Sequence, residues 1–193
     1  MDNKLKIINF LGKNINKSYT MHELSNILRI PYATFHRTIS EINDLLIIKD
    51  VGKSKVIQIN IKNPIIKAHL TVSSDEERKE YLKHQPIIKK ITNEINTKEI
   101  IVLFGSYAKK TYNEKSDIDI IVINKSGKKT ISFSKYEILF RKKINPIFIT
   151  EKEFKDMLGS EEENVGKQAL QYNIILNNPE SFWECVFNGI KSV

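Results

Sequence analysis

Residues Leu103–Ile123 read LFGSYAKKTYNEKSDIDIIVI. An apolar run, IIVLF, leads into this stretch and ends at Phe104, and Gly105-Ser106 follow. Ten residues further on stand Asp117-Ile118-Asp119, and then a second apolar run, IIVI. The pattern predicts a strand, a tight polar turn into a short helix, and a second strand with two carboxylates at its start. Side chains alternate across a strand, so Asp117 and Asp119 point the same way. Paired carboxylates repel each other unless a cation lies between them. A divalent metal is the usual solution, most commonly Mg²⁺ with a nucleotide phosphate. The competing account, two solvated aspartates beside a Gly-Ser turn, leaves the spacing and the flanking strands unexplained.

Gly105-Ser106, ten residues, then Asp117-x-Asp119 resembles the signature of the polymerase-beta-like nucleotidyltransferases, in particular their minimal branch. LFGSYA is similar to that family's strand–Gly–Ser–helix segment, and SDIDIIVI to its metal-binding strand. The resemblance covers roughly residues 98–158, about a third of the chain. It implies attack of a hydroxyl on the α-phosphate of an NTP, ATP being the first expectation, with Mg²⁺ or Mn²⁺ at the site. Asp117 and Asp119 would be the catalytic and metal-binding pair. Gly105, Ser106 and Lys109 would hold the nucleotide. Glycine lets the backbone approach the phosphates, and the Ser106 hydroxyl and the N–H groups of the helix opening can donate to them. Lys109 and Lys110 stand where relatives often carry Arg-Gly. A solvated helix face explains these lysines as readily as phosphate binding does.

The family usually adds a third carboxylate from a later strand as general base. Here that strand is INPIFIT, and the aligned position is Asn145 or, with a shift of two residues, Ile147. Neither is acidic. An Asn oxygen can bind a metal but cannot accept a proton near neutral pH. Glu137, the nearest acid, falls on the preceding predicted helix. The resemblance therefore implies metal–nucleotide binding and leaves turnover open.

With 193 residues the chain can form one or two small domains. Its apolar and charged fractions, 40% and 28%, are those of a globular chain. No apolar run approaches the length of a membrane span, and MDNKLKIINF lacks the features of a signal peptide. One cysteine, Cys185, excludes an internal disulfide framework and fits a reducing cytoplasm. The net charge of +8 is uneven: residues 1–62 carry +5 of it, which points to a polyanion partner there. A general lysine bias is the alternative source of that excess.

Towards the N-terminus, Leu5, Ile8 and Leu11 are spaced for a helix that Gly12 can stop. Thr20 and Glu23 form a capping box that opens a short helix with Leu24, Ile27 and Leu28 inward. Pro31 starts a second helix, about Tyr32–Leu45, burying Phe35, Ile39 and Ile42. The stretch LLIIKDVGKSKVIQINI then predicts two strands joined at Gly52. This order, over Lys4–Ile61, resembles the winged helix-turn-helix domains of prokaryotic regulators. The resemblance implies a recognition helix in the DNA major groove. With Phe35 and Ile39 inward, Arg37 and Ser40 lie opposite and Thr34 and His36 on the flanks. Arg37 would approach a base or phosphate, and the wing lysines Lys49, Lys53 and Lys55 the DNA backbone. Winged helices also bind proteins, and Glu41 and Asp44 would repel phosphate.

Between the halves, Ile65–Leu70 reads as an extended or briefly helical patch. Ser73 or Ser74 could cap DEERKEYLKHQ, and Pro86 opens another apolar-striped helix. Beyond the signature, a basic loop surrounds Gly127. A helix follows with Ile138 and Leu139 inward, then the INPIFIT strand. A second capping box, Thr150 with Glu153, opens a helix that Gly159 ends. SEEENVGKQALQYNIIL reads as one helix through Ile174, and ESFWECVFNGI as a last one anchored by Phe182, Trp183, Val186 and Phe187.

The expected fold is α+β: a winged helix-turn-helix over 1–62, a helical connector over 63–98, and a polymerase-beta-like mixed sheet with flanking helices over 99–193. The expected partners are DNA at the winged helix and, as acceptor, RNA, a small molecule or a toxin-like partner protein. A homodimer is also admitted, and a membrane is not expected. The alternative function is a DNA-binding regulator or antitoxin whose nucleotidyltransferase half senses a nucleotide or binds protein without turnover.

Overall fold

The computed structural model describes residues 1–52 and 54–190. The chain forms two compact units, one ending at Ser73 and the other beginning at Ser74, a boundary inside the 63–98 stretch.

The first unit runs α1 (Asn3–Lys13), β1 (Tyr19–Thr20), α2 (Met21–Ile27), α3 (Tyr32–Glu41), a 3-10 turn (Asn43–Leu45), β2 (Leu46–Val51) and β3 (Ser54–Ile59). The three strands form an antiparallel sheet in the order β1-β3-β2. Ile7, Leu11, Leu24, Phe35, Ile39, Ile57 and Ile59 are each buried in this unit. Helix α1 is capped by Asp2, whose carboxylate accepts from the Leu5 N–H, and it runs through Gly12 to Lys13. Gly12 therefore packs inside the helix and does not stop it.

The capping box at α2 is present: Thr20 Oγ1 accepts from the Glu23 N–H at 3.1 Å, and Glu23 Oε2 accepts from the Thr20 N–H at 3.4 Å. Leu24 and Leu28 face inward, but Ile27 is 45% exposed, because a seven-residue helix buries only the narrow stripe through Met21, Leu24 and Ser25. Helix α3 ends at Glu41, short of Leu45, since Ile42 leaves helical geometry at φ −119°. Gly52 turns the hairpin at φ +60°, a conformation glycine adopts without strain.

The second unit opens within α4 (Ile66–Leu82). The predicted break at Ser73 or Ser74 is absent, and both serines are buried inside this continuous helix. Their hydroxyls are satisfied without a cap: Ser73 Oγ donates to the Leu70 carbonyl at 2.9 Å, and Ser74 Oγ accepts from Trp183 Nε1 at 2.9 Å. Helix α5 (Pro86–Glu94) starts on its proline. Then come β4 (Ile100–Phe104), α6 (Gly105–Lys109), β5 (Ile118–Asn124), α7 (Ser134–Phe140), β6 (Ile144–Thr150), α8 (Glu151–Gly159), α9 (Val165–Gln171), β7 (Ile174–Asn177) and α10 (Pro179–Ile190).

The sheet order is β6-β5-β4-β7, with β5 and β6 parallel and the other pairs antiparallel. Strands β4 and β5 are the inner pair, and the apolar runs flanking the signature are fully buried along them. Phe182, Trp183 and Val186 of α10 are fully buried and Phe187 nearly so.

Two further expectations fail in this unit. The segment read as one helix through Ile174 is helical only over Val165–Gln171. Asn173 Nδ2 donates to the Leu170 carbonyl at 2.7 Å, and Ile174–Asn177 then adds to β4 as a fourth strand. In α7, Ile138 and Leu139 do not point inward: they are 81% and 60% exposed, and Tyr136 beside Phe133 fills the core instead. The second capping box is present at α8. Among the described residues no helix is long and apolar enough to cross a membrane.

Candidate functional site

The antiparallel register of β4 and β5 sets Phe104 opposite Asp119, so Gly105 arrives beside the second carboxylate. Gly105 has φ +67°, and a Cβ added there would lie 2.3 Å from Asp119 Oδ2. Backbone conformation and space both demand glycine. Helix α6 is a single short turn closed by Lys110 in the left-handed region, φ 59°. Its floor is fixed by Tyr107, which is buried, stacks on Tyr112 with centroids 4.4 Å apart, and accepts from the Tyr81 hydroxyl at its carbonyl at 3.1 Å. Ser106 is half-buried at the start of this turn. The ammonium of Lys109 lies 4.6 Å over the Tyr172 ring.

The parallel pairing of β5 and β6 places Asn145 directly beside Asp119. Asn145 Nδ2 donates to Asp117 Oδ2 at 3.1 Å and to Asp119 Oδ1 at 3.2 Å. One amide group thus spans both carboxylates. Lys143 Nζ lies 3.2 Å from the same Asp117 oxygen. The bond from Asn145, followed by that from Lys143, holds the Asp117 carboxyl below its ordinary range. Glu137 is not a substitute third acid, because its Oε1 accepts from the Ile144 N–H at 2.9 Å and fixes the start of β6. Among the described residues, no three His, Cys, Asp or Glu side chains gather into a group that could hold a metal.

This donor set fits one hard cation. Two carboxylates and, with the amide turned over, the Asn145 oxygen suit Mg²⁺ or Mn²⁺, whose remaining positions phosphate and water would complete. It supplies no carboxylate base beyond the metal pair.

The structure brings Asp117, Asp119 and Gly105 together, with Ser106 adjoining and Lys109 turned to Tyr172. Sequence reasoning missed Lys143. Its signal was the period of two, since Lys143 precedes Asn145 by two residues and shares its face. In the first unit, His36, Arg37 and Ser40 are exposed on α3 and Thr34 is half-buried. Ser40 Oγ donates to the His36 carbonyl at 3.1 Å. Lys49 and Lys55 are exposed on the β2–β3 hairpin, and Lys53 lies outside the described residues.

A glycine-opened turn laid against two carboxylates at the head of β5, on a mixed sheet with flanking helices, is the arrangement that the resemblance of the sequence implies. Residues 85–183, just over half of the chain, match the nucleotidyltransferase domain family, and the chain belongs to it. None of the curated proteins and none of the solved structures matches the chain.

Proposed function

We propose that the second unit binds an NTP, first of all ATP, together with Mg²⁺ or Mn²⁺, and passes its nucleotidyl group to a hydroxyl of a protein, an RNA or a small molecule. One observation carries this: Asp117 and Asp119 converge on a single point, marked by the Asn145 amide, with Gly105 packed against the Asp119 side chain. The bound metal would supply charge neutralisation at the α-phosphate and the leaving pyrophosphate. Asp117, Asp119 and the turned amide of Asn145 would hold it. Gly105 keeps the backbone close enough for the phosphates to reach that point, and Ser106 offers a donor to them. The acceptor oxygen forms its bond to the α-phosphorus as the bond to pyrophosphate breaks. Its proton leaves to water or phosphate, because Asn145 has no site for it.

The test is incubation with α-labelled ATP, Mg²⁺ and a lysate. Label should pass to an acceptor with the wild type and not with Asp119→Ala. Asn145→Asp, which adds a base at the amide position, should raise the yield. If no NTP gives transfer with either the wild type or Asn145→Asp, catalysis is excluded.

Asn145 also favours a second reading, in which the unit senses a metal-bound nucleotide without turnover. That reading is upheld if Mg–ATP binds and no acceptor is ever labelled.

For the first unit we propose a winged helix-turn-helix that binds DNA. Its support is the order of α1, α2, α3 and the hairpin, with Arg37, Lys49 and Lys55 exposed. Thr34, His36, Arg37 and Ser40 would meet the groove, and Lys53 and Lys55 the phosphates. Retention of the chain's own promoter DNA, steeply weakened by salt, tests this. Salt-independent retention, or none, excludes it.

A further inference from the structure

We propose that Lys143 pairs with Asp117 and moves to a phosphate when the metal–nucleotide arrives. The inference rests on the reading of this site as a metal–nucleotide site. Lys143 Nζ and Asn145 Nδ2 contact the same atom, Asp117 Oδ2, at 3.2 and 3.1 Å. They differ in freedom. Asn145 is half-buried on β6, whereas the Lys143 side chain is 68% exposed and only its tip is engaged. Its backbone is fixed, because the Lys143 carbonyl accepts from the Ile118 N–H at 2.9 Å. The stem is therefore rooted beside the first strand residue after Asp117, with a solvent-exposed ammonium at its end.

A divalent cation held by Asp117 would repel an ammonium 3.2 Å from Oδ2, so the two would compete for this carboxylate. The displaced ammonium is left within reach of the nearest new anion, which is the phosphate that arrives with the metal. Lys142 provides the contrast. Its Nζ donates to the Glu114 backbone carbonyl and touches neither carboxylate.

The experiment measures two affinities that this role moves in opposite directions. Mn²⁺ alone is titrated against the full chain, and then Mg²⁺ with a non-hydrolysable ATP analogue. In Lys143→Ala, Mn²⁺ alone should bind about two- to fivefold more tightly, because a competing cation is gone. The Mg–analogue complex should bind about three- to tenfold more weakly, because a charged donor to phosphate is lost. Lys143→Arg should keep the wild-type affinity for the Mg–analogue complex. Lys142→Ala removes the same unit of charge and should leave affinity for Mn²⁺ alone within about twofold, since surface charges act weakly when not in contact.

If both affinities shift the same way in Lys143→Ala, or neither shifts, or Lys142→Ala reproduces the pattern, the role of Lys143 is overturned and the site reading stands. If the wild type binds no Mg–analogue at all, the site reading falls, and this proposal with it.

Discussion

The two units hold their charges in opposite ways. At the β5–β6 face, donors are aimed at acids: Asn145 and Lys143 both reach Asp117, and Asn145 reaches Asp119 as well. On α3 and the β2–β3 hairpin, Arg37, Lys49 and Lys55 stand exposed, while Glu41 at the end of α3 is drawn to Lys4 at 2.8 Å. On the proposed reading, a site that keeps its own acids neutralised would suit a ligand that brings its own cation. A surface that leaves its cations outward would, on the same proposed reading, suit a polyanion. The difference teaches that the overall excess of +8 says little by itself, and that the direction each charge faces says more.

The strongest way to break the comparison is Asp119→Ala. Loss of a supporting residue around a metal typically costs about 10–100-fold, and loss of a ligand itself should exceed that. Calorimetry should therefore show Mg–ATP binding weakened by more than about 100-fold, with promoter retention unchanged. Binding within tenfold of wild type would place the nucleotide elsewhere.

Gly105→Ala comes next. A left-handed residue other than glycine costs about 1–2 kcal/mol, and the added methyl also meets Asp119. The urea midpoint should fall accordingly, and Mg–ATP affinity with it. Gly52→Ala in the first unit, where a Cβ meets nothing within 4 Å, should cost the strain alone.

Smaller again is the electrostatic footprint of the first unit. Lys55→Ala should reduce the slope of log affinity against log salt for DNA by about 0.9, the value expected for one phosphate contact. Mg–ATP affinity should not move. An unchanged slope would remove Lys55 from the interface.

The smallest effect is on pH dependence. Asp117 titrates below its ordinary 3.8 because Asn145 and Lys143 favour its charged form. A depressed carboxyl pKa stabilises the fold above the ordinary value and loses that contribution as pH falls through the lower folded value. Asn145→Ala should raise the Asp117 pKa towards 3.8, which carboxyl NMR can read directly. The acid limb of an unfolding profile should move up with it.

Much of the site was legible because its parts are local. The strand–Gly-Ser–helix turn and the Asp117-x-Asp119 strand are read within 21 consecutive residues, and alternation alone puts both aspartates on one face. Both capping boxes were legible for the same reason, since four residues carry the whole device. What could not be read depended on distant partners. Nothing near Ile174 announces a strand, because its spacing from Ala169 and Leu170 continues a helical stripe until β4 captures it. Ser73 and Ser74 look like caps until Trp183 is seen donating to Ser74 across 109 positions of sequence. Ile138 and Leu139 are exposed while Tyr136 and Phe133 fill the core, a choice set by tertiary packing that periodicity within one short helix does not weigh.

The close approach at Gly105 also constrains how this sequence can change. The clash of an added Cβ at 2.3 Å is with the tip of the Asp119 side chain, not with backbone. Gly105→Ala should therefore cost less in a chain that already carries Asp119→Ala, and a double-mutant cycle should show the two substitutions to be non-additive. The order of mutation then matters. While Asp119 is present, any side chain at position 105 must displace its carboxylate. Once Asp119 is lost, only the backbone angle guards the glycine, and the turn becomes free to drift with it.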